Sequence, residues 1–201
     1  MLEEEYDKRR VLPRHLRRTE PEPVFGYELR DAMVKDIPDI REIYNHYVTN
    51  SVVTFDEKRW TLKRWREKFD LLQKLGLPFI VAESSTGQVL GYALVQPWAG
   101  KSAFRYTVEN SIYLGPGAAG KGLGRALLQA LIEACEAKGI REIVAVVSDK
   151  GAEASIALHE KMGFEEVGRM GRVGFKFGRW LGTIYLQKHL TPAKKRRLFG
   201  R

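Results

Sequence analysis

Five glycines fall within ten residues in the run Gly115-Pro-Gly-Ala-Ala-Gly-Lys-Gly-Leu-Gly124. Glycine permits positive φ and lets a ligand approach the backbone closely. A strand-like run, Arg105–Leu114, precedes the segment, and an apolar-periodic run, Gly122–Lys138, follows it. A loop so placed turns the unpaired N–H groups of a helix N-terminus toward its contents, where the helix dipole favours an anion. The chemistry this predicts is capture of a phosphate-bearing ligand, with a ligand-free glycine turn as the alternative. Three motifs overlap here. Gly115, Gly117 and Gly120 spell G-x-G-x-x-G, but a dinucleotide fold places that pattern after the first strand of a βαβ series. In this chain several strands and two helices come first. Gly115, Gly120 and Lys121 spell G-x-x-x-x-G-K, but Gly122 stands where a P-loop needs the hydroxyl that holds magnesium. The third motif is Gly120-x-Gly122-x-Gly124 running directly into Arg125.

Two further residues are of types that move protons. Glu109 lies in an otherwise apolar strand pattern, five residues before Leu114. A carboxylate there suits general-base work; a solvent-facing or salt-bridged strand glutamate is equally consistent with the residues alone. His159 lies in the helical run Ala152–Met162, where a lone histidine on a half-apolar helix is also a common structural residue. His159-Glu160 begins like the zinc motif H-E-x-x-H, but Gly163 occupies the place of the second histidine, so no metal site is expected. His15, His46 and His189 are scattered, there is no G-x-S-x-G elbow, and Cys135 sits among apolar helix neighbours as a small core residue.

The elements that must position these residues follow from periodicity. Tyr27–Arg30 reads as a short strand and Asp36–Val48 as a helix with Asp36 as its N-cap. Val52–Phe55 reads as a loop or short extended piece. Thr61–Leu75 is a second helix, closed by Gly76 and Pro78. Phe79–Glu83 and Val89–Val95 form a hairpin about Ser85-Thr86-Gly87. Glu142–Val147 is a β-branched run suited to a buried strand, and Phe164–Met170 and Phe177–Leu190 are closing strands. The order β-α-α-β-β-β-α-β-α-β-β predicts an α/β (α+β) domain around one mixed central sheet flanked by helices.

Length and charge agree with one such domain. The chain has 201 residues, 44% hydrophobic and 29% charged, an ordinary globular mixture. No run approaches the ~18 apolar residues of a membrane helix. The N-terminus, with Glu3, Glu4 and Glu5, lacks the apolar stretch of a signal peptide. A single cysteine allows no internal disulfide, so a cytoplasmic protein is expected. The net charge of +9 is unevenly placed. Residues 1–25 carry six acids and six bases, residues 191–201 carry five bases and no acid, and residues 26–190 carry 23 bases against 19 acids. This divides the chain into a charged extension (1–25), a domain (26–190) and a basic tail (191–201). With over half of the excess on the tail, nucleic acid is not taken as the partner and the tail reads as a solvated segment.

In order and spacing, Ile43-Tyr-Asn-His-Tyr-Val48, Thr54-Phe55, Val81-Ala-Glu83, Gly91-Tyr92, Tyr106-Thr-Val-Glu109, the glycine loop, Ser155-Ile-Ala-Leu-His-Glu-Lys-Met-Gly-Phe164 and Val173-Gly-Phe-Lys-Phe-Gly-Arg-Trp180 resemble the GNAT acetyltransferase superfamily. Within it, the chain is most similar to the phosphinothricin and methionine sulfoximine N-acetyltransferases, from about Tyr27 to Leu190. The resemblance implies a GNAT fold, a twisted sheet whose fourth and fifth strands splay apart. The pantetheine arm of acetyl-CoA would lie in the splay, against backbone groups of Ile112, Tyr113 and Leu114. Its pyrophosphate would rest on N–H groups of Gly120, Lys121, Gly122, Leu123, Gly124 and Arg125, with Lys121 and Arg125 adding charge. The resemblance makes Glu109 the catalytic base and gives His159 acid/base assistance or protonation of the leaving thiol, with the Leu114 N–H as a donor to the developing oxyanion.

Phe55, Lys101 and Thr107 would line the acceptor site, with Trp180, Lys176 and Arg179 at its rim. Lys101 stands where the family has Arg, a point charge in place of a bidentate fork. Ala119 and Ala152 replace a usual Gln or Arg and a usual Asn near the cofactor. The implied function is acetyl-CoA-dependent N-acetylation of a small amino acid or analogue by direct attack in a ternary complex, without metal, in a homodimer. Two alternatives stay open: the same chemistry on another small amine or a protein amine, and a non-catalytic acyl-CoA-binding module.

Overall fold

Alternation along the second and third strands dictates a sheet with two apolar faces, because successive strand residues point to opposite sides. In Phe79-Ile-Val-Ala82 and Tyr92-Ala-Leu-Val95 every residue is apolar, so both faces must be covered. The computed structural model describes residues 26–191; the extension 1–25 and all of the basic tail except Thr191 lie outside the described residues. Its elements are β1 (Tyr27–Asp31), α1 (Ile37–Asn50), α2 (Leu62–Lys74), β2 (Phe79–Ser84), β3 (Val89–Pro97), β4 (Thr107–Leu114), α3 (Leu123–Ala137), β5 (Glu142–Ser148), α4 (Glu153–Lys161), β6 (Glu165–Lys176) and β7 (Arg179–His189). The strands form one mixed sheet in the order β1-β2-β3-β4-β5-β7-β6. Neighbours are antiparallel except β4 and β5, which are parallel.

Phe79, Val81, Tyr92 and Leu94 face α1 and α2, packing with Ile37, Ile40, Trp65 and Leu72. Ile80, Ala82, Ala93 and Val95 face the other way, against Leu127, Leu128 and Leu131 of α3. Full burial of a leucine contributes roughly 1.5–3 kcal/mol, so these two layers hold the sheet between them. Cys135 belongs to the α3 layer, where burial pushes its thiol up to about 12.

Apart from shifts of one or two residues at other element ends, three features differ from the sequence reading. Asp36 does not cap α1 with its side chain. It accepts instead from the Met33 N–H at 2.7 Å and from both terminal nitrogens of Arg30, a fork that ties the end of β1 to the start of α1. The fourth strand begins at Thr107 rather than Arg105, because Ser102–Phe104 form a 3-10 turn whose Ser102 carbonyl receives the Arg105 N–H. β6 runs on to Lys176 rather than stopping at Met170. The glycines there mark an irregularity in register between Met170 and Gly174, with Arg172 at φ 55, and the true turn is Phe177-Gly178. Glycine inside a strand often signals a bulge rather than an end.

A candidate active site between two splayed strands

β4 and β5 pair only at Thr107–Glu142, Val108–Ile143 and Glu109–Val144. Beyond Glu109 the two strands have no shared ladder, and the opening between them is a cavity of about 280 Å³ lined by Asn110, Ile112, Leu114, Val147, Leu158 and His159 among others. A second cavity, of about 390 Å³, lies on the α2 side, and Asp56, Lys68, Gln96 and Glu109 line it. The two share Val53, Ser111, Tyr113 and Val146. The splay is therefore a passage with an aliphatic end and a charged end. Alternation along β4 puts Glu109 in the charged cavity and its neighbour Asn110 in the aliphatic one.

At the aliphatic end, His159 is 2% exposed. Its Nδ1 faces the Ser155 carbonyl oxygen at 2.7 Å, and its Nε2 lies 2.9 Å from Asn110 Nδ2. A carbonyl only accepts, so the ring proton sits on Nδ1 and Nε2 accepts from Asn110. Burial pushes the imidazole below its usual value, with the Ser155 carbonyl opposing. The ring is held neutral and aimed.

The glycine loop closes this end. Gly117, Gly120 and Gly122 have φ of 78, 77 and 79°, a left-handed backbone that favours glycine. Gly122 is the N-cap of α3, and no side chain caps that helix, so its first N–H groups are open to a ligand. Ala119 and Gly124 line the cavity. Of the β4 groups expected to meet a ligand, the Leu114 carbonyl already accepts from Tyr47 Oη at 2.8 Å.

At the charged end, Gln96 Nε2 donates to Glu109 Oε2 at 3.3 Å, and Gln96 Oε1 accepts from Lys68 Nζ at 2.8 Å. Lys68 lies beside the rings of Trp60 and Trp65, with Nζ 5.4 and 6.0 Å from their centroids. Burial lowers its pKa, and the carboxylates of Glu109 and Asp56 draw it back up. Asp56 accepts from Trp60 Nε1 at 2.7 Å and from Tyr44 Oη.

The segment 51–56, which supplies Val53, Phe55 and Asp56 to the site, is held from behind by β6. Buried Lys176 donates to the carbonyls of Ser51 and Thr54, both at 2.8 Å. Gly174 leaves room for the Phe55 ring: a Cβ there would lie 2.3 Å from Phe55 Cδ1.

Of the residues singled out in the sequence, Glu109 and Phe55 line the charged cavity, and His159, Ile112, Tyr113, Leu114 and Gly124 line the other. Lys101 is exposed in the turn before β4, and it and Thr107 line neither cavity. Trp180 and Arg179 are exposed on the β6–β7 hairpin, whereas Lys176 is interior. Lys68, Gln96 and Asp56 were not anticipated. They come from three separate segments, and only Trp60 and Trp65 near Lys68 hinted in the sequence at an aromatic wall.

Residues 38–164 match the model of the acetyltransferase (GNAT) family. This chain belongs to the GNAT family. Among GNAT relatives, it is 43% identical over 166 residues to an L-methionine sulfoximine/L-methionine sulfone acetyltransferase of Pseudomonas aeruginosa, covering 83% of this chain and 96% of the relative. It is 41% identical over 156 residues to a phosphinothricin N-acetyltransferase of Alcaligenes faecalis, covering 78% and 79%. A GNAT phosphinothricin acetyltransferase from Sinorhizobium meliloti, solved in complex with acetyl-CoA, is 40% identical with a TM-score of 0.78, covering 84% of this chain and 94% of that one. GNAT enzymes are acetyl-CoA-dependent N-acetyltransferases, and the site fits that cosubstrate. An uncapped helix N-terminus behind a left-handed glycine suits a pyrophosphate, and the aliphatic splay suits an acyl chain.

Proposed function

We propose that the protein transfers the acetyl group of acetyl-CoA to the amine of a small amino acid or analogue, by direct attack with both substrates bound. The observation that carries this reading is the meeting of the two cavities across β4, with Glu109 on the charged side and His159 on the aliphatic side. When bound, acetyl-CoA supplies an activated acyl carbon and a thiol leaving group. Glu109 takes the proton that the acceptor ammonium must lose before its nitrogen can attack. The N–H of Leu114 meets the charge that grows on the carbonyl oxygen. Once Asn110 turns its amide away, His159 Nε2 takes the second proton that the acceptor nitrogen sheds after attack and passes it to the departing thiolate, leaving a neutral thiol and a neutral ring. Holding both substrates in one passage supplies much of the remaining rate. The glycines from 120 to 124, with Lys121 and Arg125, receive the cofactor phosphates. Phe55 walls the acceptor cavity.

The exposed apolar side chains of the β6–β7 hairpin, Val167, Met170, Val173, Phe175, Phe177 and Trp180, support assembly as a homodimer through that hairpin. A single, buried thiol suits a reducing cytoplasm. The function is tested by thiol release from acetyl-CoA against methionine sulfoximine, methionine sulfone, phosphinothricin, ordinary amino acids and a peptide amine. Release with one or more amino-acid-like acceptors is expected. Release with the peptide alone favours a protein acetyltransferase, and acetyl-CoA binding without release favours a binding module.

A further inference from the structure

The charged cavity holds a cation that the protein itself leaves mostly unused. An ammonium has three N–H donors. Among the described residues, Lys68 Nζ finds one acceptor, Gln96 Oε1, and it forms no ion pair. It is half-buried beside Trp60 and Trp65, in surroundings where an incompletely paired ammonium is costly. By contrast Lys176, a buried lysine, has two carbonyl acceptors and lines neither cavity of the splay.

The position of Lys68 relative to Glu109 gives the missing partner its chemistry. One carboxamide, that of Gln96, bridges the two, donating to the carboxylate and accepting from the ammonium. A positive and a negative group are thus held about one amide and two hydrogen bonds apart on the wall of one cavity. An α-amino acid has the complementary pattern, with its nitrogen and its carboxylate on the same carbon. With the amine at Glu109, the α-carboxylate falls on the Lys68 side. Arg64, stacked 3.8 Å from the centroid of Trp60, adds positive charge to the same wall, and the cavity balances Asp56 and Glu109 against Arg64 and Lys68.

We infer that Lys68 is a specificity-determining residue that receives the α-carboxylate of the acceptor, selecting zwitterionic amino acids over neutral or cationic amines. Because it presupposes the acetyl transfer proposed above, its test compares two acceptors within one enzyme. The kcat/KM for L-methionine sulfone and for its α-carboxamide is measured with the wild type, Lys68→Met and Lys68→Arg. In the wild type the acid is preferred. In Lys68→Met, kcat/KM for the acid falls by about 10- to 100-fold, the range of a hydrogen bond to a charged group, through KM, while the carboxamide is little changed. Lys68→Arg keeps the preference for the acid, which also separates charge from folding. Equal loss on both acceptors, or no loss on either, overturns the inference: in the first case Lys68 acts through Gln96 on Glu109 or on the fold, in the second on nothing. If the wild type acetylates neither these nor any other amine, the proposed function itself fails and this inference falls with it.

Discussion

Asn110 Nδ2 donates to His159 Nε2 at 2.9 Å, while the opposite ring nitrogen faces the Ser155 carbonyl at 2.7 Å. Both nitrogens of a buried imidazole are therefore engaged, with no room in that pattern for a second ring proton unless Asn110 turns its amide.

This arrangement makes stability depend on pH. Burial holds the folded His159 pKa below its ordinary 6.5, while in the unfolded chain the ring takes up its proton near 6.5. The folded state binds fewer protons, so the contribution is complete above pH 6.5 and is lost as pH falls from there toward the lower folded value. Thermal unfolding followed from pH 8 downward is expected to show the wild type losing stability below about pH 6.5 more steeply than His159→Asn. Parallel curves would remove His159 as the titrating group.

The hairpin behind the acceptor cavity gives a prediction of a different kind. The Phe55 ring fills the space that a Cβ on Gly174 would take, and Phe55 is partly exposed, so a displaced ring would turn toward solvent. Gly174→Ala is expected to cost about 1–3 kcal/mol of stability and to raise KM for the amine several-fold, with KM for acetyl-CoA unchanged. Steady-state kinetics with each substrate varied in turn, beside a denaturation curve, separates the two effects.

The glycine loop should behave in the opposite way. A Cβ on Gly122 would meet nothing within 4 Å, so space is not the constraint; its φ of 79° is. Gly122→Ala is expected to cost about 1–2 kcal/mol for a left-handed non-glycine residue and to raise KM for acetyl-CoA rather than for the amine. A selective rise in the amine KM would place the phosphate cradle elsewhere.

Much of this was legible in the sequence because it rests on local pattern. The apolar spacing of Leu127, Leu128, Leu131 and Cys135 marks α3, and the all-apolar runs of β2 and β3 mark a sheet covered on both faces. The glycines before Leu123 mark its left-handed entry. What was not legible depends on contacts distant in sequence. Lys68, Gln96 and Glu109 lie on α2, β3 and β4, and nothing in their separate surroundings says that one carboxamide will join them. The strand read as Phe164–Met170 stops just before Gly171 and Gly174, and a glycine in sequence does not tell a bulge from a turn. Asp36 looked like a helix cap because the competing partner, Arg30, lies on β1. Lys101 drew attention through the family pattern, but the 3-10 turn at Ser102–Phe104 holds that segment at the exposed surface.

The most direct measurement is acetyl transfer by Glu109→Gln, which keeps the shape of the side chain and removes the base. With whichever amino-acid acceptor the wild type prefers, kcat is expected to fall by about 100-fold or more, the low end of what a positioned base supplies, while acetyl-CoA binding measured by calorimetry stays as in the wild type. A Glu109→Gln variant with undiminished kcat would contradict the account and remove Glu109 from the chemistry.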